Sequence, residues 1–185
     1  MIRLFHIILF MTIVIVVHVR AETKASEKPI QRTDIKWKAL SKSNYKIQYP
    51  DNWELNESGV MGTSFIIFSP VESDSDTYRE NVTLIIQDIS GQNIDLSKFV
   101  DISLSQFHTL LTNPQLFENK RVKVATKEYQ KMVYSFDQGA LHLKTEQYLF
   151  VIKNKAYVLT LSTTPGTFEK YKKTGEAILA SFLVK

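Results

Sequence analysis

The chain has 185 residues, 44% of them hydrophobic, and its 23 Lys and Arg residues outnumber 19 Asp and Glu residues. This length suits one ordinary domain with a short extension, and the apolar fraction is too high for an intrinsically disordered chain. Because the sequence has no cysteine, disulfides, thiolate metal sites, thiol catalysis and a lipid attached to an N-terminal cysteine are all excluded.

The first 21 residues have the pattern of a secretory signal peptide. One basic residue, Arg3, precedes an apolar run from Leu4 to Val17, which is shorter than the roughly 20 residues of a membrane-spanning helix. Val19 and Ala21 supply small residues at the positions required for a cleavage before Glu22. We therefore predict a secreted or periplasmic protein. The alternatives are an uncleaved N-terminal membrane anchor and a buried N-terminal helix.

A polar stretch with one proline, residues 22–36, follows the leader and is predicted to be a tether. The folded domain is then expected to span 37–185, which is long enough to bury a core. Loss of Arg3 and Arg20 with the leader leaves 21 basic against 19 acidic residues, a net charge of +2. A charge this balanced does not predict nucleic-acid binding, which needs a clustered basic stripe. Membrane contact is expected only if the leader is uncleaved.

Two helices and a series of strands are predicted after the tether. The apolar runs and alternations bounded by turn residues predict strands at 45–49, 53–55, 64–68, 82–88, 122–126, 129–136, 141–152 and 156–163. The first helix is predicted over Leu96–Leu111, with Asp95 as its N-cap and Asn113-Pro114 ending it. The second helix is predicted over 167–181, with Gly175 permitting a close approach to the sheet.

The segment Tyr148–Ile152 indicates the architecture. It is apolar on both strand faces, so this part of the sheet must be covered on both sides. The short connections at Gln138-Gly139 and at Asn154 require antiparallel neighbours. Each helix carries an apolar stripe at three- and four-residue spacing, so each can cover one face. The predicted fold class is α+β, an antiparallel β-sheet sandwiched between helices.

Several motifs, in this order, resemble the PsbP-like superfamily. Residues 45–53 read Tyr-Lys-Ile-Gln-Tyr-Pro-Asp-Asn-Trp and resemble its opening strand, Tyr-Pro, turn and Trp. Residues 68–70 (Phe-Ser-Pro) and 78–82 (Tyr-Arg-Glu-Asn-Val) resemble its second segment, and residues 155–160 and 181–182 complete the order. The resemblance covers about 45–185. It implies an α/β/α sandwich with a non-catalytic adaptor or assembly role, nearest in kind to bacterial envelope proteins of the DcrB type.

The two histidines that follow the leader are weighed as candidate ligands. His142 shares a strand face with Lys144 and Glu146, and a His-x-x-x-Glu arrangement could supply two metal ligands. The alternative is a solvated sheet face with a cross-strand charge pair. His108 lies beside the apolar stripe of the first helix, and no carboxylate or nucleophile can be assigned to it.

Acidic residues alternate in the polar stretch before the strand at 82–88. Glu72, Asp74 and Asp76 have the spacing of oxygen ligands for Ca²⁺, and Glu80 follows them. The glycine and the distal bidentate acid of an EF-hand loop are missing. A solvated loop between strands is therefore the alternative to a weak Ca²⁺ site.

The sequence contains no Gly-x-Ser-x-Gly, His-Glu-x-x-His, Walker loop or dinucleotide fingerprint. No catalytic, cofactor-binding or metal residue is assigned, and no cofactor is expected. Three aromatic residues could rim a ligand cleft or anchor the core: Trp37, Trp53 and Tyr78.

The predicted function is a non-enzymatic domain that binds a protein partner in the cell envelope, as an adaptor or assembly factor. The alternative is a small-ligand or lipid-binding module with a cleft between helix and sheet.

Overall fold

Antiparallel sheets dominate the part of the chain that the structure describes. The computed structural model describes residues 36–74, 76 and 78–185. The predicted leader, 1–21, and all of the predicted tether except Lys36 therefore lie outside the described residues. Neither helix within this range combines the length and the apolar character that a bilayer-spanning segment requires.

The described residues form ten strands, two α-helices and one short 3-10 helix at Val60–Gly62. The helices are α1 (Leu96–Leu110) and α2 (Phe168–Ser181). The strands are β1 (Trp37–Ser41), β2 (Tyr45–Pro50), β3 (Glu54–Asn56), β4 (Phe65–Phe68), β5 (Asn81–Asp88), β6 (Thr112–Val124), β7 (Lys127–Gln138), β8 (Leu141–Ile152), β9 (Lys155–Thr163) and β10 (Leu183–Val184).

The strands belong to a small sheet and a large sheet. The small sheet has the order β1-β2-β10, and the large sheet has the order β3-β4-β5-β9-β8-β7-β6, with antiparallel neighbours throughout the described chain. Two-residue turns join β6 to β9 into a meander. The first turn residues Ala125, Gly139 and Lys153 have φ values of 51°, 60° and 51°, which suits the primed turns that match strand twist. The predicted antiparallel sheet is confirmed.

Helix α1 covers one face of the large sheet. Asp95 Oδ1 accepts a hydrogen bond from the Lys98 backbone N–H at 2.8 Å, so the predicted N-cap satisfies a free donor of the first turn. The buried stripe of the helix contains Phe99 and Phe107, which pack in one cluster with inward side chains of β7 and β8 such as Tyr134. This is the apolar stripe predicted from the sequence, although its last turn leaves Leu110 exposed.

Helix α2 covers the opposite face together with the small sheet. Its buried residues pack in one cluster with Ile47 of β2 and Leu161 of β9. A Cβ atom added to Gly175 would lie only 2.4 Å from Leu161 Cδ2, so glycine is what lets the helix approach the strand at this point. Both faces of the Tyr148–Ile152 segment are therefore covered by helices, as predicted.

The sequence prediction missed parts of the sheet edges. Strand β1 buries only Leu40, so it lacks the hydrophobic alternation that identifies a strand. Strand β6 begins at Thr112, nine residues before the alternating Arg121–Thr126 segment. Asn113-Pro114 lies inside this strand as well as ending the helix, because an edge strand tolerates the missing donor of proline. Strand β10 is too short to carry a pattern.

Candidate functional site

In the described chain the large sheet has two edge strands, β3 and β6, and β6 is the longer of them. In the described chain β6 pairs only with β7. The first half of β6 is irregular: it contains Pro114 and shifts register between Thr112 and Gln115 and again between Leu116 and Glu118. From Glu118 to Val124 the pairing with β7 is regular. We call this regular part of β6, Glu118–Val124, the basic edge.

The basic edge carries more positive than negative charge. Lys120 pairs with Glu118, while Arg121 and Lys123 share the Glu128 carboxylate, with both nitrogen–oxygen distances at 3.4 Å. The Lys120 and Lys123 side chains are 58% and 72% exposed. Their ion pairs are therefore weak surface contacts, and both ammonium groups can reorient toward an anionic partner.

The register indicates which backbone groups of the basic edge point away from β7. Val124 and Lys127 flank the two-residue turn, and such flanking residues form a hydrogen-bonded pair. Pairs alternate along an antiparallel ladder, so Arg121 and Lys123 fall at non-hydrogen-bonded positions opposite Gln130 and Glu128. Their N–H and C=O groups therefore point outward, where an additional strand would pair.

A cleft of about 280 Å³ opens at the end of the large sheet, between the segment Phe182–Val184 and the strands. We call it the end cleft. Its apolar wall is formed by Leu96 at the start of α1, by Phe150 and Ile152 of β8, and by the segment Phe182–Val184 after α2. Its polar wall is the turn between β6 and β7, Thr126–Glu128.

Lys127 is the cation in the wall of the end cleft. Its Nζ donates to Ala180 O and to Phe182 O, both at 2.8 Å, so it caps the carbonyl end of α2. Burial lowers the pKa of Lys127. Glu128, the acid beside it in the cleft wall, forms its ion pairs with Arg121 and Lys123.

A buried charge cluster joins α2 to the sheet. Glu146 of β8 is fully buried, and its Oε1 lies 3.1 Å from Lys131 Nζ on β7. The same Nζ lies 3.0 Å from Glu176 Oε1 on α2 and 3.6 Å from Glu118 Oε2. Burial raises the pKa of Glu146, and Lys131 only partly offsets the effect. Burial by itself would lower the pKa of Lys131, but Glu176 and Glu146 outweigh it and raise that pKa.

His142 and Glu146 differ sharply in their surroundings. His142 is exposed, and its Nδ1 lies 2.5 Å from Asp137 Oδ1 across the turn between β7 and β8. Glu146 contacts Lys131 instead. The cross-strand pair weighed from the sequence therefore occurs between His142 and Asp137 on the exposed face, and Glu146 forms a second, buried pair with Lys131. His108 is exposed and stacks edge-on against Phe107 at 5.1 Å between ring centroids.

The acidic stretch before β5 is occupied by protein contacts. Glu72 accepts hydrogen bonds from Lys170 Nζ and Tyr171 Oη on α2, which lower its pKa. Asp76 accepts backbone N–H bonds from Glu72 and Tyr78, both at 3.2 Å. Glu80 is buried with its Oε2 3.3 Å from Ser69 Oγ, and burial raises its pKa.

Asp74 takes no part in those contacts. No three His, Asp or Glu side chains converge as metal ligands anywhere in the described ranges. Of the aromatic residues considered for a cleft rim, Trp53 and Tyr78 are buried and Trp37 is exposed. None of the three lines the end cleft.

The basic edge, Lys127 and the buried charge cluster were not identified by sequence reasoning. The alternation of Arg121 and Lys123 indicates a strand with one charged face. It does not indicate that this strand lies at the edge of the sheet. Lys144 and Glu146 alternate like a solvated face, because the sequence does not reveal that α2 lies over them. The position of Lys127 after a turn was missed as well, because the predicted strand 122–126 includes Ala125 and Thr126, which form the turn in the structure.

Comparison with known proteins identifies the fold. No family model matches the sequence, and no curated protein matches it. The solution structure of cyanobacterial PsbP (CyanoP) from Synechocystis has a TM-score of 0.61 at 16% identity, covering 86% of this chain and 98% of its own. LpqN, described as involved in cell envelope biogenesis of Mycobacterium tuberculosis, has a TM-score of 0.56 at 12% identity, covering 83% and 92%.

A protein of unknown function from Pseudomonas aeruginosa has a TM-score of 0.58 at 14% identity, covering 80% of this chain and 96% of its own. These three proteins come from distant bacteria, and each matches over nearly all of its length. The likeness covers 80% or more of this chain in each case, at 12% to 16% identity. The chain therefore has the PsbP-like fold, as its sequence motifs predicted.

Proposed function

We propose that this protein is a non-enzymatic, exported domain of the cell envelope that binds a protein partner through the basic edge. Residues 1–21 are the leader and 22–36 the tether in this proposal, and 37–185 are the binding domain. The leader-like sequence supports export, and a neighbour in fold is described as involved in cell envelope biogenesis. The absence of a known catalytic motif in the sequence supports a binding role rather than catalysis.

The observation that carries the proposal is a regular strand edge with outward backbone groups and a positive charge. An extended segment that adds a strand to a sheet edge gains main-chain hydrogen bonds, and side-chain contacts select its sequence. With Lys120 and Lys123 exposed on the strand, the fitting partner is an extended acidic segment. A second copy of β6 fits poorly, because like charges facing each other across strands destabilise the pairing.

Most unpartnered edge strands are protected against such additions. In β6 the protective features, Pro114 and the two register shifts, are confined to the part before Glu118. Over the basic edge, charged side chains are the remaining protection against the addition of another strand. An edge protected only by lysine and arginine rejects copies of itself and accepts an acidic strand, which is the selectivity that an adaptor requires.

Photo-crosslinking in intact native cells tests this function. A photoreactive residue replaces Lys123 on the basic edge or, as a control, Lys173 on the exposed side of α2. We expect one reproducible protein adduct from position 123 and not from position 173. In the same preparation, the N-terminus of the mature chain is expected at Glu22.

A charge reversal then tests whether the adduct depends on the basic edge. Lys120→Glu combined with Lys123→Glu should reduce the adduct at least tenfold when the photoreactive residue is at Val124. The matched control, Lys98→Glu combined with Lys173→Glu, changes the net charge equally on the two helices and should leave the adduct unchanged. Adducts of equal yield from all positions, or no adduct from the edge, would refute the proposal.

A further inference from the structure

The end cleft takes no part in the proposed partner binding, and its walls combine apolar and polar residues. Its apolar wall includes side chains that are accessible to a ligand, since Leu183 is 48% exposed and Ile152 and Val184 are partly exposed. A concave site with an apolar wall and a small number of polar groups is the usual form of a small-molecule site. The volume of about 280 Å³ lies just below the roughly 300–1,000 Å³ of typical ligand pockets.

The end cleft is lined by one cation and one anion, Lys127 and Glu128. Among the described residues, Lys127 has no carboxylate within ion-pair distance, although its Nζ donates to two carbonyl oxygens. An ammonium group has three donors, so these two bonds leave one for a ligand. The Glu128 carboxylate lies beside Arg121 and Lys123 rather than beside Lys127.

Two more lysines follow wall residues of the end cleft along the chain, Lys153 after Ile152 and Lys185 after Val184. Lys153 Nζ donates to Lys185 O at 3.1 Å, and Lys185 Nζ donates to Ser41 Oγ at 2.8 Å. Neither lysine lines the cleft itself, so Lys127 is the cation that a ligand in the cleft would meet.

An apolar wall with a lysine at its polar side fits an amphiphile that has one apolar chain and an anionic head. We propose that the end cleft binds a single medium-length acyl chain, with its carboxylate on Lys127. The chain would lie against Phe150, Phe182 and Leu183, where each buried methylene adds to the affinity. A two-chain lipid is too large for this volume. This function is separate from partner binding at the basic edge.

Decanoate is the probe for the test, with decanol as the uncharged control, at concentrations below micelle formation. Titration is followed by amide chemical shifts of the full folded domain, 37–185, within the mature chain. Saturable shifts from decanoate are expected at Lys127, Ile152 and Leu183 and not at Lys98 on the outer surface of α1. Decanol is expected to bind about tenfold more weakly, because it cannot form the charge-assisted hydrogen bond.

Two variants separate the head-group contact from the apolar wall. Lys127→Met should weaken decanoate about tenfold and leave decanol affinity unchanged. Leu183→Asp, at an exposed position, should weaken both ligands and disfavour decanoate further by adding a like charge. Because Lys127 also caps α2, unfolding of the Lys127→Met variant is monitored in parallel, and the Leu183→Asp result alone suffices if that variant is unfolded.

Decanoate shifts that map to the cleft and depend on both substitutions support the inference. Equal affinity for decanoate and decanol would overturn the role of Lys127. Shifts that are not saturable, or that map to another surface, would overturn the site itself. Neither result would affect the edge-dependent crosslinking, so the two proposals fail independently.

Discussion

At the scale of single residues, the unusual feature is a carboxylate with no access to water. Glu146 shares one ammonium group, Lys131, with Glu176 and Glu118, so three carboxylates surround one cation. Because burial raises the pKa of Glu146, the folded protein binds a proton at this carboxylate more tightly than the unfolded chain does. A buried ion pair of this kind is weak evidence for stability, and its effect should depend on pH.

The pH dependence gives a prediction for Glu146→Gln. Between the ordinary glutamate pKa of 4.5 and the raised pKa of Glu146 in the folded state, the folded state binds more protons than the unfolded state, so the free energy of unfolding falls as pH rises through this range. The fall from one such group is at most about 1.4 kcal/mol per pH unit. We expect the variant to lose this part of the slope and to gain stability relative to wild type as pH increases toward neutrality.

Urea unfolding at a series of pH values measures the effect. The variant should retain the similar but separate slope from Glu80, whose pKa burial also raises. Glu169→Gln is the matched control, because it removes a carboxylate from the exposed surface of α2 and should leave the slope unchanged. A wild-type slope in Glu146→Gln would show that Glu146 is ionised throughout.

Features that depend on neighbours along the chain could be predicted from the sequence. Features that depend on contacts between distant segments could not. The N-cap at Asp95 and the stripe of α1 are local, and they were predicted correctly. The burial of Glu146 depends on α2, which lies some 30 residues away. The pairing of His142 with Asp137 depends on the exact turn between β7 and β8. A one-residue difference in register would place both side chains elsewhere.

At the scale of elements, α2 is the best example of local pattern and packing acting together. Its glycine costs helix propensity, about 1 kcal/mol relative to alanine. In return the helix backbone approaches β9, where Leu161 is fully buried. The sequence indicated this close approach, but only the structure identifies Leu161 as the side chain that fills the space.

Gly175→Ala should therefore destabilise the protein despite the better helix propensity. Its Cβ atom would lie 2.4 Å and 2.8 Å from the two Cδ atoms of Leu161, and overpacking of a core costs about 1–3 kcal/mol. The free energy of unfolding from urea titrations should fall by about 1–2 kcal/mol. Ala177→Gly, on the exposed side of α2, measures the propensity term separately.

The double variant Gly175→Ala with Leu161→Ala tests the proposed clash directly. Leu161→Ala alone should cost about 2–5 kcal/mol because it leaves a cavity. If the added methyl group occupies that cavity, the double variant costs less than the two single variants together. Additive effects would mean that the clash is relieved elsewhere, for example by movement of α2.

At the scale of the whole molecule, the small and large sheets must be held together by side chains, because they share no strand. The ring of Phe182, directly after α2, makes this connection. Its centroid lies 5.8 Å from Tyr45 of the small sheet, and 5.5 Å and 5.8 Å from Phe150 and Tyr157 of the large sheet. Phe182 is also almost completely buried.

Phe182→Ala should therefore weaken the whole fold rather than one end of it. Truncation of a buried phenylalanine costs about 3–5 kcal/mol, and three aromatic contacts are lost at once. Urea unfolding should shift by this amount while far-UV circular dichroism and tryptophan fluorescence still follow one common transition. Fluorescence includes Trp37 of β1, so it reports on the small sheet.

The neighbouring residue provides the control for this prediction. Leu183→Ala removes an exposed side chain from β10 and should cost less than about 1 kcal/mol. A large cost for both variants would indicate that the effect is not specific to the Phe182 ring and that the whole segment after α2 contributes. Two separate transitions in Phe182→Ala would show instead that the small sheet can unfold independently once no Phe182 ring contacts both sheets.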